Sequence, residues 1–284
     1  PVVFRKSLPP IPDVIVLNSS NVTAKGGRDD RYRPIIGGVQ VENYDQGYII
    51  TSTLGSAAKK GVCNYGYVVS GHLGHDDRPT QVGTTMYQPE WGIEENEAGN
   101  VAEVGGYWAD AAWVPFGSVY PNILVDYGGK ITVDGYFDPW LGDTVYKSGI
   151  TTGLTTGEVV EHYDEISHPD FGELYDQYGA TYDSDSGDSG APVYWWDGGY
   201  GHYIEGIHWG RCGIWPFDKA VFSPISGVNA DLDVESVTAD DVSSPKPKVV
   251  TVDYPSEIKI GSWAEIYVKV KNEGGVSYWQ TVHI

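Results

Sequence analysis

Short segments rich in β-branched and aromatic residues recur along most of the chain, separated by turns of Gly, Asp, Asn and Pro. Examples are "GYVVSG", "AAWVPF", "KITVDGYF", "DTVYKSG", "APVYWW" and "KAVFSPI". No amphipathic pattern longer than about three helical turns interrupts them. This pattern predicts an all-β body from about residue 34 to residue 235, preceded by an irregular N-terminal arm, residues 1–33.

The texture of the sequence changes near Asp240. The stretch "DDVSSPKPK" is polar with alternating prolines, which predicts an extended linker over residues 236–249. Apolar and polar residues then alternate again over residues 250–284. This last segment resembles the first half of the immunoglobulin-like repeats of microbial surface proteins, which implies a partial β-sandwich domain.

Composition and charge narrow the class further. The chain has 284 residues, 37 glycines, 21 tyrosines and 10 tryptophans, which suits barrels or sandwiches with tight turns and aromatic faces. Its formal charge of -21 would repel phosphates, so nucleic acid is excluded as a partner. No apolar run approaches the roughly 20 residues that a membrane-spanning helix needs.

Two N-glycosylation sequons lie in the arm, at Asn18 and Asn21, and favour a secreted or cell-surface glycoprotein. Acidic clusters at residues 75–78, 94–97 and 183–188 could bind calcium through oxygen ligands, although each is also explained as a solvated acidic surface. No paired His or Cys spacing indicates zinc, so we assign no metal ligand. We therefore expect no cofactor beyond a calcium ion at most.

The candidate chemistry lies in "YDSDSGDSGAPVYWW", residues 182–196. Ser189 stands between glycines and follows an aspartate, and strand sequence comes next. Gly187 allows a sharp turn in which the N–H groups of Gly187 and Ser189 can converge on an oxyanion. The motif therefore predicts a nucleophilic serine, provided that a base and its orienting carboxylate exist elsewhere.

Both partners occur in suitable contexts. "GYVVSGHLGH" places His72 at the end of a strand, and "YWADAAWVPF" places Asp110 at the start of another. A histidine that takes the proton of the serine and a carboxylate that holds the histidine tautomer complete a catalytic triad. The order along the chain is His, Asp, Ser.

These motifs together resemble the chymotrypsin-like serine endopeptidases, in particular the bacterial α-lytic protease and streptogrisin branch. The likeness covers about residues 34–233 and includes "RPIIGGVQV", "VVSGHLG", "DAAWV", "YKSGITTGLTTGEV", "GDSGAPV" and "GIHWG". It implies a double six-stranded antiparallel β-barrel and a secreted peptide hydrolase. It also implies that His72 is the general base, Asp110 its orienter, and Ser189 the nucleophile.

The sequence departs from that family in its cysteines. Where many members carry disulfides, this chain has Leu73, Tyr146 and Thr156, and its only cysteines are Cys63 and Cys212. We expect these two cysteines not to pair, because Cys63 lies in a predicted hairpin turn and Cys212 beside the strand that lines the cleft.

The resemblance gives two opposite expectations for the substrate pocket. Asp183 lies six residues before Ser189, where trypsin-like enzymes carry the acid that binds a basic side chain. Yet "GIHWG" resembles the glutamyl endopeptidases, in which the histidine of this strand, here His208, binds an acidic side chain; Trp209 and Gly210 would line the same cleft. We favour an acidic residue before the cut.

A second hypothesis is a protease-like domain used for structure, adhesion or filament formation. In that case the cleft would be blocked, for example by the arm. Either the arm or the C-terminal β segment could tether the protein or mediate self-association by strand pairing.

Overall fold

The structure is a computed structural model of the chain, and it describes residues 11–12, 15–17, 27–75, 78–199, 201–213, 218–242, 247–253 and 267–272. The chain divides into two compact units, Pro1–Val237 and Thr238–Ile284. The larger unit holds every residue that the sequence suggests for chemistry.

The described residues form mostly β-strands, as the sequence pattern predicts. The strands are β1 Ile11–Pro12, β2 Ile15–Leu17, β3 Ile35–Gly37, β4 Gln40–Asp45, β5 Tyr48–Thr53, β6 Ala57–Lys60, β7 Asn64–Val69, β8 Thr85–Tyr87, β9 Glu97–Asn100, β10 Glu103–Val104, β11 Ala112–Pro115, β12 Val119–Leu124, β13 Lys130–Thr132, β14 Gly135–Tyr136, β15 Thr144–Gly149, β16 Gly153–His168, β17 Gly172–Ala180, β18 Pro192–Trp196, β19 His202–Cys212, β20 Lys219–Pro224, β21 Glu235–Ser236, β22 Pro247–Asp253 and β23 Tyr267–Asn272. Two short 3₁₀ helices span Glu94–Asn96 and Asp126–Gly128, and one α-helix, α1, spans Ile225–Leu232.

The C-terminal half of the larger unit is a closed barrel. Its ladder runs β19-β18-β15-β16-β17-β20, and β20 pairs with β19 again, which closes a ring of six strands. Closure leaves no edge strand in the ring and fixes the turns at its ends. The turn between β17 and β18 carries Ser189.

The N-terminal half is built from three small sheets of short strands, and one of them also takes in β21 from the C-terminal end of the larger unit. Their orders are β10-β11-β7-β6-β21, β2-β5-β4-β8-β9 and β13-β12-β3. His72 follows β7, and Asp110 precedes β11, which is the neighbour of β7 in the first sheet. Because neighbouring antiparallel strands bring such ends together, the two side chains meet at one edge of this half.

One apolar cluster joins strands of both halves. It contains Val68, Trp113 and Ile123 from the first half and Tyr194, Ile204 and Ile207 from the second, all buried. Burying side chains of this size stabilises each by roughly 1.5–3 kcal/mol. The core therefore holds the two halves, which carry His72, Asp110 and Ser189, against each other.

Helix α1 is an element that the sequence reading did not predict. The segment "KAVFSPI" is a strand only as far as Pro224, and Ile225 begins the helix. Ile225, Val228 and Leu232 recur at helical spacing and are buried in the shared core. Because the helix is only eight residues long, its apolar spacing is too short to stand out in the sequence.

The smaller unit contains one described antiparallel pair, β22 with β23. Strand β22 begins at Pro247, within the segment that the sequence assigned to the linker. This pair is all that the described residues show of the region that resembles an immunoglobulin-like repeat.

Candidate active site

The turn that carries Ser189 is built on glycines. Gly187 and Gly190 have positive φ angles of 99° and 87°, and a Cβ on Gly190 would lie 2.2 Å from the carbonyl oxygen of Thr53. A side chain at residue 190 would therefore force the turn away from β5. The turn places Ser189 Oγ 2.9 Å from His72 Nε2 and 3.2 Å from the carbonyl oxygen of Trp209.

The imidazole of His72 is held from its other nitrogen. Nδ1 of His72 contacts Oδ2 of Asp110, and Ser70 Oγ lies 2.7 Å from the same Nδ1. The backbone N–H of His72 also donates to Asp110 Oδ1 at 3.0 Å. These contacts fix both the ring orientation and the position of Nε2 beside Ser189.

Asp110 is completely buried and accepts several hydrogen bonds. Besides those from His72, it accepts from the N–H of Gly71 at 2.6 Å and from Ser70 Oγ at 3.1 Å. Burial alone would raise the pKa of Asp110, but the charge of His72 and the hydrogen bonds from His168 and His72 outweigh it. The pKa of Asp110 is held well below its usual range, so the carboxylate stays ionised.

A second histidine, which sequence reasoning missed, contacts the same carboxylate. His168 Nε2 lies 3.2 Å from Asp110 Oδ2 and is buried against the rings of Trp209 and Phe171. Its Nδ1 accepts from the N–H of Asp170 at 3.1 Å, which leaves Nε2 as the nitrogen that carries the proton. His168 therefore donates to Asp110.

His72, Asp110 and His168 are also the only described residues that group three metal-type ligand atoms within 4.8 Å. The hydrogen bonds of Asp110 to both rings account for this closeness. The described carboxylates of the three acidic segments do not form such a group.

A buried ion pair holds the loop before the serine. Lys147 Nζ donates to Asp188 Oδ2 at 2.8 Å, and both side chains have 0% exposure. The N–H groups of Thr151 and Asp185 donate to the same carboxylate at 2.9 and 3.1 Å. Although burial opposes ionisation, the charge of Lys147 keeps the pKa of Asp188 below its usual value. The pair locks the backbone around Gly187 and Ser189, whose N–H groups were predicted to hold the oxyanion.

Three of the pocket residues that the sequence predicts lie next to one another on strand β19. His208 and Trp209 are fully buried in β19, with Gly210 next to them. Tyr182 Oη lies 3.1 Å from His208 Nδ1, and Trp209 Nε1 donates to Gln177 Oε1 at 2.9 Å. Trp209 is thereby fixed, and its carbonyl oxygen faces Ser189 Oγ.

Asp183 differs from the buried acid that a trypsin-like pocket requires. Its side chain is 76% exposed, and its Oδ1 lies 3.5 Å from Arg211 Nη1. Arg211, which the sequence reading did not single out, also donates to Ser184 O at 2.6 Å and to Asp218 Oδ2 at 2.7 Å. The guanidinium of Arg211 thus faces the carboxylate of Asp183.

The remaining predicted residues are peripheral. Asn18 and Asn21 lie outside the described residues, so the glycosylation prediction stays untested. Cys63 is exposed and Cys212 is buried, and the two are not joined by a disulfide bond. Within the described part of the chain, no helix is long and apolar enough to cross a membrane.

Comparison with solved structures identifies the fold. The chain is similar to Thermobifida fusca protease A (24% identity, TM-score 0.57), and the match covers 72% of this chain and 99% of that protease. It is similar to Nocardiopsis protease (22% identity, TM-score 0.56), and the match covers 72% of this chain and 99% of that protease. It is also similar to a glutamic-acid-specific serine protease that uses a histidine triad in substrate binding (21% identity, TM-score 0.58). This match covers 72% of this chain and 100% of that protease.

No family model and no curated protein matches the chain. The structural neighbours are bacterial chymotrypsin-like serine proteases, and the fold of the larger unit is theirs. The all-β, chymotrypsin-like fold predicted from the motifs is confirmed.

Proposed function

We propose that this protein is a serine endopeptidase that cuts peptide bonds through an acyl-enzyme. The observation that carries the proposal is the chain of contacts from Ser189 Oγ to His72 Nε2 at 2.9 Å and from His72 Nδ1 to Asp110. Three distant segments meet in the order and geometry that proton transfer from a serine requires. The fold of the structural neighbours supports the same chemistry.

The steps follow from this geometry. Ser189 Oγ attacks the substrate carbonyl carbon while His72 Nε2 takes the hydroxyl proton. The Gly187 and Ser189 N–H groups stabilise the oxyanion, and the ionised Asp110 stabilises the imidazolium that forms. His72 then gives the proton to the leaving amine, and water hydrolyses the ester to release the acid and restore Ser189.

An acidic residue before the cut is our proposed specificity. His208 is buried in β19 two residues before Gly210, and Arg211 follows Gly210 on the same strand. Asp183, the acid that the sequence offered as the partner of a basic side chain, is exposed and faces Arg211. A neighbour of the same fold is specific for glutamic acid and binds substrate through histidines, which supports the same role for His208.

The remaining parts of the proposal concern location and organisation. We assign residues 34–235 to the protease domain and residues 250–284 to the start of an immunoglobulin-like domain that tethers the enzyme. The sequons at Asn18 and Asn21 support export, and peptides or proteins are the proposed substrates.

A second candidate function is a structural or adhesive role without catalysis. The observation that favours it is the pairing of arm strand β1 with β19, next to Trp209 and Ser189. A cleft that is permanently filled would leave the triad idle.

A fluorophosphonate reagent distinguishes the two functions. This reagent phosphonylates an activated serine whatever the substrate preference, and mass spectrometry then maps the modified residue. We expect modification of Ser189 that is lost in His72→Ala and kept in His162→Ala, which alters an exposed histidine. An unmodified Ser189 after prolonged incubation, with other folding measures intact, would favour the structural role.

A further inference from the structure

Gln177 is a fully buried amide on β17, at the place where this strand meets β19, β20 and the loop before β11. Its Nε2 donates to the carbonyl oxygens of Trp108 at 2.8 Å and of Tyr175 at 2.7 Å. Its Oε1 accepts from Trp209 Nε1 at 2.9 Å and from Ser223 Oγ at 2.8 Å. The side chain thus uses both of its N–H donors and both lone pairs of its carbonyl oxygen.

Only one orientation of this amide satisfies its partners. The indole N–H of Trp209 can only donate and the backbone carbonyl of Trp108 can only accept, so the amide oxygen must face the indole. The hydroxyl of Ser223 is fixed in the same way, because it accepts from the N–H of Asp110 at 3.0 Å and must therefore donate to Gln177. A buried network in which every group is satisfied is rigid and holds its members in one geometry.

The network ends at two groups of the proposed active site. One is the triad carboxylate residue, because Ser223 accepts from the backbone N–H of Asp110. The other is Trp209, whose carbonyl oxygen lies 3.2 Å from Ser189 Oγ. Asp110 precedes β11 in the N-terminal half, whereas Trp209 lies on β19 in the C-terminal half. Gln177 therefore connects the segment that carries the carboxylate with the strand that faces the nucleophile.

The loop that leads into the triad carboxylate, residues 105–110, depends on side-chain contacts because it forms no helix or strand. Asp231 Oδ2, on α1, accepts from the N–H groups of residues 106–109 at 2.9 to 3.0 Å. Gln177 donates to a carbonyl oxygen of the same loop, that of Trp108. Asp231 thus fixes the course of the loop, and Gln177 fixes its place relative to β19.

We propose that Gln177 is a positioning residue that, from its anchor on β19, acts through Ser223 to hold Asp110 in place. This inference rests on the proposed peptidase function and goes beyond it, because Gln177 lies outside the triad. His72 contacts both Asp110 and Ser189. A shift of the carboxylate therefore moves His72 Nε2 away from the hydroxyl whose proton it must take.

A purely structural role for Gln177 predicts lost stability but unchanged chemistry in the molecules that stay folded. The kinetics of fluorophosphonate labelling of Ser189 in the full chain separate the two roles and need no knowledge of the substrate. The rate at saturating reagent measures how well Ser189 is activated, and the half-saturating concentration measures how well the reagent binds. Labelling is followed well below the unfolding midpoint of every variant, so that only folded protein is measured.

The test variant is Gln177→Leu, which removes all four hydrogen bonds and keeps a side chain of similar size. The matched control is Gln88→Leu. Gln88 is also fully buried, and its amide binds the N–H of Tyr32 at 2.8 Å and the carbonyl oxygen of Asp30 at 2.7 Å. The milder variant Ser223→Ala removes only the link to the backbone of the triad carboxylate, and it carries the test alone where Gln177→Leu does not fold.

We expect Gln177→Leu to slow labelling at saturating reagent at least about tenfold, with a half-saturating concentration within about twofold of the wild type, because small displacements of reacting groups are costly. Ser223→Ala should also slow labelling. Adding it to Gln177→Leu should cause no further loss, because both changes break the same chain of hydrogen bonds. Gln88→Leu should label at the wild-type rate.

Wild-type labelling rates in folded Gln177→Leu or in Ser223→Ala would overturn the proposal. So would a double variant whose loss equals the product of the two single losses, or an equal slowing in Gln88→Leu. Failure of the wild type to label would instead refute the peptidase function itself.

Discussion

Nε2 of His168 and Nδ1 of His72 contact the same oxygen of one buried carboxylate, Oδ2 of Asp110. The second imidazole comes from the end of the long strand β16 and does not touch Ser189. Its hydrogen bond holds the carboxylate in place and favours the ionised form of Asp110. His168 is thus a positioning residue that acts through Asp110.

Replacing His168 should slow catalysis more than it weakens binding. In His168→Ala, the charged carboxylate of Asp110 loses the hydrogen bond that His168 donates, and a hydrogen bond to a charged group is worth about 1.5–3 kcal/mol. We expect kcat to fall roughly 10- to 100-fold with KM nearly unchanged, and His168→Gln, which keeps an N–H donor, to recover part of the loss. The control is His162→Ala, because His162 pairs with Asp176 on the exposed surface. A rise in KM with kcat unchanged would show that His168 serves the pocket instead.

The Lys147–Asp188 pair should be essential to stability. Lys147→Met leaves the carboxylate of Asp188 buried without its cation, which typically costs about 3–5 kcal/mol. Lys219→Met breaks an ion pair of similar length, 2.9 Å, between half-exposed side chains and should cost less than about 1 kcal/mol. Denaturant unfolding of both variants measures the difference. Equal losses would mean that the buried pair adds nothing beyond a surface pair.

Glu205 should make the protein less stable as the pH rises. It has no exposed surface, neither carboxyl oxygen has a hydrogen-bond partner, and burial beside Asp143 and Asp138 raises its pKa to about 8. Because the folded pKa lies above the ordinary value of 4.5, the contribution of Glu205 to stability is complete below about pH 4.5 and is lost as the pH rises from about 4.5 to 8. The contribution changes by up to about 1.4 kcal/mol per pH unit.

The matched variant for this effect is Glu205→Gln, which cannot ionise. Unfolding free energies measured at pH 5, 7 and 9 should decline with pH more steeply in the wild type than in Glu205→Gln. Parallel pH profiles would contradict the assignment of a protonated Glu205 in the folded protein.

The pocket assignment can be tested by replacing each of the two candidate residues, His208 and Asp183, in a separate variant. We expect His208→Ala to lower kcat/KM for peptides with Glu or Asp before the cut by at least about tenfold, since a buried partner of the substrate charge is lost. Asp183→Asn should leave this preference intact because the carboxylate is exposed and faces Arg211. If Asp183→Asn abolishes cleavage after Arg or Lys instead, the pocket is basic-selective and His208 is structural.

The parts of this protein that sequence reasoning found are those with local signatures. Ser189 stands in a turn whose glycines, Gly187 and Gly190, have positive φ angles. His72 follows one recognisable strand and Asp110 precedes another. Alternating patterns also gave the all-β class. Each of these features is set by residues within a few positions along the chain.

The parts that it missed depend on contacts between distant segments. His168 lies 58 residues from Asp110 in the chain, and Lys147 lies 41 residues from Asp188. Arg211 and Asp183 face each other only because β19 folds beside the serine loop. Helix α1 was hidden because a strand and a short helix share one apolar run. The pairings of β1 with β19 and of β2 with β5 likewise join segments that are far apart in the chain.

The most direct test of the central claim is digestion of a mixed peptide library, with every cut site read by mass spectrometry. The samples are the wild type and Ser189→Ala, with Ser118→Ala as a surface control. We predict cuts after Glu or Asp in all samples except Ser189→Ala, which should show none. An uncut library in the presence of the folded wild type, or cuts that persist in Ser189→Ala, would contradict the account.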